Sequence, residues 1–341
     1  MVGVATTLTP TTTRASNVAD LRFIDPVPVV DSLARRLRSR GADYVVVVAH
    51  EGAFCDRDGM TNCRGEIVEF ASRLREPVDA IVSGHTHSLV NTVVNGIPIV
   101  QSRSSGTAFG VVDLGPDGGG PRVQDVLPET MAADSAVAAL VQRAVARVSP
   151  IVDRPVATIA EDLSRDGPQY ALGNLIADAM RDVGRGDVAV MNNGGIRAGL
   201  RRGVATYGAL FEVQPFANTL YRLTLSGTAL RGYIEGLVAR RLNVHVSGIV
   251  VSYDSTAAAG ARVRRVRMAS GDDLRADDEY TLVLNDFLAT GGDGLGLSTA
   301  ARRTEVLPIV DLDAFVNYLR TRPQPVRAPT DARFVVTGGT R

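Results

Sequence analysis

Three of the four histidines in this chain directly follow two apolar stretches. His50 follows YVVVVA at 44–49, and His85 and His87 follow VDAIVS at 78–83. In an open parallel sheet, ligands collect beyond the carboxyl ends of the strands, so these imidazoles would face one crevice. Imidazole suits Zn, Mn and similar metals, and a pair two residues apart can serve two neighbouring ions. A single histidine after a strand is usually an ordinary turn residue, but three of four favour metal binding.

Alternating strands and helices are predicted to position these histidines. The predicted elements are helices at 26–40 and 66–74, fully buried strands at 44–48 and 78–82, a hairpin around Asn95-Gly96 and a strand at 110–114. A Gly-rich surface turn is predicted at 115–120. This alternation predicts an α/β domain with parallel strands and an antiparallel edge.

A long Ala-rich helix at 132–148 separates this pattern from a second α/β pattern. We therefore expect a first domain at 1–130, a helical connector at 131–150 and a second domain at 151–341. The elements predicted for the second domain are helices at 172–183, 228–241 and 311–320, and strands at 187–193, 219–227, 249–253, 262–268, 280–285 and 332–337. The remaining histidine, His245, is predicted to be a structural strand residue.

Composition and cysteine spacing limit the class of protein. Basic and acidic residues each total 37, so the formal net charge is zero. We therefore expect neither nucleic acid nor an anionic membrane surface as the main partner. No apolar run approaches the roughly 20 residues of a membrane span, and no signal peptide is visible. Cys55 and Cys63 lie in one polar loop and are predicted to form a disulfide if the protein is exported; a zinc site would need more ligands nearby.

Both halves of the sequence resemble the 5′-nucleotidase family. AHEG (49–52), CRGEIVEFA (63–71) and IVSGHTH (81–87) are similar to the second half of its calcineurin-like metallophosphatase domain. Four further segments resemble its C-terminal domain: LGNLIADAMR (172–181), MNNGGIRAGL (191–200), VQPFANTLYRLTLSG (213–227) and LNDFLATGGDGLG (284–296). The resemblance implies a partial metallophosphatase α/β sandwich followed by a complete α/β 5′-nucleotidase C-terminal domain.

The resemblance implies a metal-binding role for each histidine after a strand. His50 and His85 would bind one divalent ion and His87 a second, with Zn, Mn or similar metals as the two ions. The family's Asp-x-His and Gly-Asn-His-Glu motifs do not occur in this sequence, and no Gly-Asp pair precedes the AHEG segment. We therefore expect Met1 to fall within the catalytic domain, the metal site to be incomplete and no catalytic residue to be retained. We also expect the strand at 44–48 to lack its flanking strands, leaving an apolar edge.

The resemblance also implies substrate-binding residues in the second domain. Phe216 and Phe287 would stack on the base, worth about 1–3 kcal/mol per base, and Asp293 would accept the ribose hydroxyls. Arg197 offers a planar fork for phosphate, and Asn192 can bond a base edge. The alternatives are that each aromatic is a buried loop anchor and that Asp293 is an ordinary turn residue.

Two features depart from the family pattern. Asn193 stands where a glycine is usual, and an arginine ahead of the LGN helix has no clear counterpart. Arg165 is nearby, whereas Pro168 and Gln169 stand closer to the expected place.

The sequence therefore predicts a metal-dependent hydrolase of nucleoside 5′-monophosphates or related nucleotides. The alternatives are a non-catalytic nucleotide-binding module, a 2′,3′-cyclic-nucleotide phosphodiesterase and a UDP-sugar hydrolase of the same family. The resemblance implies a secreted, periplasmic or cell-surface location.

Overall fold

The computed structural model describes residues 1–57, 59–115, 118, 120–297 and 300–338. It divides into two units, the first formed by Met1–Pro10 and Ala19–Ala138 and the second by Thr11–Val18 and Ala139–Arg341. Strands and helices alternate in both, so the predicted α/β class is confirmed. The Gly-rich turn predicted at 115–120 includes Pro116, Asp117 and Gly119, which lie outside the described residues.

The first part of the chain contains seven strands and three helices among the described residues. They are β1 (Val2–Ala5), α1 (Thr9–Thr12), α2 (Pro26–Ser39), β2 (Val46–His50), α3 (Glu66–Arg73), β3 (Ala80–Val82), β4 (Leu89–Val94), β5 (Ile97–Ser102), β6 (Ala108–Val111) and β7 (Arg122–Asp125). The strand predicted at 110–114 therefore lies earlier, at β6, where it pairs with β7.

The main sheet of the first unit has the strand order β1-β2-β3-β5-β4. Its strands are parallel except for β4, which forms the predicted hairpin with β5 around Asn95-Gly96. The expectation that the strand at 44–48 lacks a neighbour was wrong, because β1 pairs with β2 from Val2↔Val47 to Ala5↔His50. The alternation of VGVA places Val2 in the core, so this short strand has an apolar side to bury.

The helices of the first unit cover one face of this sheet. Val47 and Ile81 pack against the apolar sides of α2 and α3 in one hydrophobic core. The prediction that β2 and β3 are fully buried was wrong, since Val48 is 43% exposed and Val82 42% exposed. A continuous apolar run identifies a strand but does not show how many of its faces are covered.

The predicted connector helix is α4 (Ser135–Val152), which has no buried residue. Its 18 residues have a mean hydropathy of 1.3, enough by length and composition alone for a membrane-crossing helix. Core helices and signal sequences meet the same criterion, so the absence of a membrane span stays a prediction.

The second unit contains ten further strands and five further helices among its described residues. They are β8 (Pro155–Ile159), α5 (Ala171–Gly184), β9 (Val188–Asn192), β10 (Gly203–Thr206), α6 (Tyr207–Val213), β11 (Thr219–Ser226), α7 (Gly227–Ala239), β12 (Val244–Ser247), β13 (Ile249–Asp254), β14 (Val263–Met268), β15 (Glu279–Asn285), α8 (Asp286–Ala289), β16 (Arg303–Val310), α9 (Asp311–Thr321) and β17 (Phe334–Gly338).

A five-stranded sheet with the order β12-β9-β15-β11-β16 is the centre of the second unit. Strands β9 and β15 are parallel, and the other pairs are antiparallel. One core forms around α5 and α9, and another around α7 and the smaller sheet β14-β13-β17. The remaining pair is β8 with β10. His245 lies buried in β12, as predicted for a structural strand residue.

Candidate functional site

Parallel pairing of β2 with β3 brings two of the predicted histidines together. His50 is the last residue of β2, and His85 follows β3, whose Val82 pairs with Val48. The His50 Nε2 and His85 Nδ1 atoms lie 3.2 Å apart. His85 and His87 both have positive φ angles, 76° and 56°, which are uncommon for residues other than glycine and recur at functional sites. His87 lies on the same loop with an exposed side chain.

Buried hydrogen bonds tie the loops of the two histidines to each other. The Ser83 hydroxyl donates to the backbone carbonyl of Glu51 (2.6 Å), and the Gly84 amide donates to the same oxygen (3.2 Å). From β5, the Gln101 amide donates to the Thr86 hydroxyl (2.7 Å) and to both the hydroxyl and the carbonyl of Ser88. The sequence analysis did not identify Gln101. The only sign of Gln101 in the sequence is that it is the polar residue directly after the apolar run IPIV (97–100).

Electrostatics at this loop pair favour a neutral His85 imidazole. Burial lowers the pKa of His85, and the neighbouring His50 ring lowers it further. Burial also raises the pKa of Glu51 to about 7, with a smaller contribution from the charge of Glu66. A neutral imidazole presents a lone pair, which is the form that binds a metal ion.

The spacing of His50 and His85 fits two ligands of one ion. Two nitrogens each bound at about 2.05 Å in tetrahedral geometry lie about 3.3 Å apart, close to the observed 3.2 Å. Among the described residues, no group of three or more His, Cys, Asp or Glu side chains is arranged to hold a metal. The distance between these two nitrogens is compatible with two ligands of one ion, and metal binding by His50, His85 and His87 stays a prediction.

The two cysteines lie in the loop between β2 and α3. Cys55 and Cys63 form a disulfide with an S–S distance of 2.02 Å, so the predicted pairing is confirmed. A backbone bridge between Phe54 and Arg64 flanks the disulfide. The loop that begins directly after His50 is therefore closed covalently.

In the second unit, the predicted substrate-binding residues lie at one end of the inner strands of the central sheet. Asn192 and Asn285 end the parallel neighbours β9 and β15. Strand β11 runs antiparallel to β15 with Leu220 opposite Asn285, so the segment containing Phe216 reaches the same end. Phe287 follows shortly after Asn285, in the first turn of α8. Residues far apart in sequence therefore lie close together, because β9 and β15 end, and β11 begins, at the same end of the sheet.

A chain of polar side chains joins Asn192 to Asp293. The Asn285 amide donates to Asn192 Oδ1 (3.1 Å), and the Asn192 side chain bonds to Asp293. Burial raises the pKa of Asp293, an effect that the bond from Asn192 partly offsets. Asp293 has a φ of 56°, and a Cβ on the preceding Gly292 would lie 2.5 Å from the Phe287 ring. Glycine at 292 thus lets the acidic turn pack directly on the aromatic ring.

Arg197 and Phe216 are neighbours at this end of the sheet. The Arg197 guanidinium lies 5.8 Å from the Phe216 ring centroid, within cation–π range. Phe216 is 52% exposed, which excludes the alternative of a buried loop anchor. Arg165 Nη1 donates to the backbone carbonyl of Arg197 (3.2 Å), so the structure brings to this loop an arginine that the sequence left unassigned.

Asn193 and Gln169, both noted above where the sequence departs from the family pattern, make structural contacts. The Asn193 side chain accepts a hydrogen bond from the Tyr170 hydroxyl, and its backbone amide donates to the carbonyl of Asn243 (3.0 Å). These two hydrogen bonds hold the turn at Asn193 in place. Gln169 instead bonds the backbone of Arg333 and Phe334, away from Arg197.

Known proteins are similar to this chain over both units. Residues 155–301 match the family model described as 5′-nucleotidase, C-terminal domain, a range that contains all five predicted substrate-binding residues. The crystal structure of a 5′-nucleotidase precursor from Thermus thermophilus aligns with a TM-score of 0.77 and 26% identity, covering 93% of this chain and 68% of that one. Residues 155–301 therefore belong to the 5′-nucleotidase C-terminal domain family, and the chain as a whole is similar to 5′-nucleotidases. The resemblance drawn from the sequence is thereby confirmed.

The curated proteins that are similar to this chain have different names. The chain is 29% identical over 353 residues to "Endonuclease YhcR" of Bacillus subtilis, covering 98% of this chain and 28% of that protein. It is 27% identical over 365 residues to "Cell wall protein Lmo0130" of Listeria monocytogenes, covering 94% of this chain and 46% of that protein. The chain thus spans less than half of the length of either relative.

Proposed function

We propose that this chain contributes part of the metal site and the nucleotide-binding residues of a 5′-nucleotidase-family phosphomonoesterase, with nucleoside 5′-monophosphates or related nucleotides as substrates. The observation that carries the proposal is the facing pair of His50 and His85, whose nitrogens have the spacing of two ligands of one ion. The 5′-nucleotidase similarity supports the substrate class.

In this proposal the first unit supplies the metal ligands. His50 and His85 hold one Zn, Mn or similar divalent ion, and His87 serves a second. Such ions polarise phosphoryl oxygens and make hydroxide available near neutral pH. Ser83 bonds both the Glu51 carbonyl and Gln101, and so keeps the two histidine loops in register.

The second unit supplies nucleotide recognition in this proposal. Phe216 and Phe287 stack on the base, and Asp293 accepts the ribose hydroxyls while Asn192 holds its carboxylate. Arg197 binds phosphate through its guanidinium, whose charge is not neutralised by any carboxylate of the described residues.

The proposal is tested by phosphate release from AMP in the presence of Mn²⁺ or Zn²⁺. We expect His85→Ala to lower the activity at least about 100-fold and the metal affinity, measured by calorimetry, about 10–100-fold. Gln124→Ala, an exposed polar position on β7 of the same unit, is the control and should change neither.

Two outcomes would contradict parts of the proposal. Metal affinity that is the same in His85→Ala and the parent chain would reject the metal site. Adenosine binding that depends on Phe287 without release of phosphate from any nucleotide would instead identify a non-catalytic nucleotide-binding module.

A second candidate function is phosphodiester hydrolysis, favoured by the similarity to a protein named endonuclease over 98% of this chain. Assays with 2′,3′-cyclic AMP, UDP-glucose and linear DNA beside AMP distinguish the substrates. Cleavage of DNA would overturn the prediction that nucleic acid is not a partner.

We also propose that the protein functions outside the cytoplasm. The disulfide between Cys55 and Cys63 is of the kind that persists in oxidising compartments, and one relative is named a cell wall protein. Cell fractionation followed by thiol labelling of the unreduced protein should find it outside the cytoplasm with both cysteines protected. Free thiols in a cytoplasmic fraction would contradict this.

A further inference from the structure

The second unit contains a cavity of about 960 Å³ that the proposed function does not use. It lies between the start of α5, the end of α7, the β13–β14 hairpin and β17. None of the five predicted substrate-binding residues lines it in the described part of the unit. Its size is that of a small-molecule site.

Aromatic rings form much of the cavity wall. Tyr253 and Phe334 meet edge to face with their centroids 6.4 Å apart, and both line the cavity. Tyr170 lines it as well, with its ring fixed against His245 at 4.2 Å. Rings in these positions offer a planar ligand several faces on which to stack.

The polar part of the lining carries uncompensated positive charge. The Arg241 side chain makes no hydrogen bond or ion pair within the described residues. The Arg262 side chain donates to the backbone carbonyls of Ala257 and Ala239 and forms no ion pair within the described part of the unit. The single acidic residue of the lining, Asp331, is paired with a buried arginine outside the cavity at 2.9 Å.

The first turn of α5 adds to this positive potential. Tyr170 and Ala171 of that turn line the cavity, and no side chain caps this end of the 14-residue helix. Exposed amide groups and the helix dipole both favour an anion at such an end.

A buried acceptor in the same turn lacks a partner. Asn174 lines the cavity and is only 3% exposed. Its amide nitrogen donates to the Asp331 carbonyl (3.1 Å), but its Oδ1 has no hydrogen-bond partner among the described residues. This oxygen is enclosed by protein atoms, so a ligand in the cavity contacts other groups of the lining.

We propose that this cavity is a second ligand site, which binds a small anion carrying a planar ring, the chemistry of a nucleoside monophosphate. The ring stacks against the aromatic side chains of the lining. The anionic group lies near Arg241 and the start of α5. This inference does not rest on the proposed hydrolysis, because it uses none of the metal-binding or substrate-binding residues.

The absence of tryptophan from the sequence allows a site-specific fluorescence test. Ser255 lies exposed on the cavity lining, so Ser255→Trp in the full chain places the only indole at this site. AMP, adenosine and inorganic phosphate are titrated separately against its emission. We expect a saturable change with AMP at a concentration at least tenfold lower than with adenosine or phosphate.

Variants separate this site from the proposed substrate site. Adding Arg241→Ala should weaken AMP binding about tenfold, whereas Arg267→Ala, an exposed arginine on β14 outside the cavity, should leave it unchanged. Adding Phe287→Ala should also leave the signal unchanged, whether or not the proposed hydrolysis is correct.

Several results would overturn the proposal. They are no saturable change with millimolar AMP, an equal response from an indole outside the cavity in Ser270→Trp, or loss of the response with Phe287→Ala. Equal affinities for AMP and adenosine would show that the anionic group does not contribute to binding, which contradicts the proposal. If circular dichroism shows that Ser255→Trp does not fold, Thr330→Trp provides a second reporter on the same lining.

Discussion

Gly52 lies where the two histidine loops pack closely together, and replacing it tests whether that contact sets the histidine spacing. A Cβ at this position would lie 2.3 Å from the Gly84 carbonyl oxygen and 2.5 Å from the Thr86 hydroxyl. Real contacts of this kind essentially never fall below 3.0 Å, so in Gly52→Ala the loops must separate by about 0.7 Å or more.

A displacement of this size exceeds what a metal shell tolerates, which is about 0.2 Å in ligand distance. The nitrogens of His50 and His85, 3.2 Å apart, would no longer bind one ion with good geometry. We expect an affinity for Zn²⁺ about 10–100-fold lower by calorimetry, because groups that orient ligands have effects of this size. Overpacking should also lower the free energy of unfolding by about 1–3 kcal/mol.

The matched control is Gly3→Ala in the same unit, where an added Cβ would meet nothing within 4 Å. It should leave metal affinity unchanged. The reasoning would be refuted if Gly52→Ala, folded by circular dichroism, bound Zn²⁺ within twofold of the parent chain. The histidine spacing would then not depend on the contact between the two loops.

Three further predictions concern other buried groups. Gln101→Leu leaves the partners in the 86–88 loop unpaired and should lower the free energy of unfolding in urea by about 3 kcal/mol; a loss below about 1 kcal/mol would mean that this network is not structural. Asp293→Asn should weaken adenosine binding about tenfold. Because burial raises the pKa of Asp293, binding by the parent chain should decline on acidification at a higher pH than for an ordinary aspartate, and calorimetry from pH 7 to 4 should find no such decline in the variant. Burial lowers the pKa of His245 to about 4, so its neutral form stabilises the fold fully above about pH 6.5, and up to about 3 kcal/mol is lost as the pH falls towards 4. Urea unfolding at pH 7.5 and 4.5 should show a smaller difference for His245→Phe, and equal differences would contradict this assignment.

Local pattern was sufficient for the order of the elements and for many of their ends. The helix at 26–40 agrees with α2, and the late helix at 311–320 agrees with α9 within a residue. Asn95-Gly96 correctly predicted the β4–β5 hairpin. These agree because periodicity, caps and turns depend on residues within a few positions of each other.

Short strands without a strong local pattern were not predicted. Strand β1 has four residues, and β10 also has four. Their strand conformation depends on partners distant in the sequence, β2 for the first and β8 for the second. Propensity in so short a segment is weaker than the pairing that the sheet imposes.

The sequence by itself indicated which residues could do chemistry, including His50, His85, Asn192 and Asp293, and which two cysteines would pair. Only the tertiary structure decided that one face of β2 remains open, that Ser83 joins the two histidine loops and that Arg165 reaches Arg197. It alone formed the cavity around Asn174. The reason is that side-chain type and spacing are written along the chain, whereas sheet order and register decide which distant segments become neighbours.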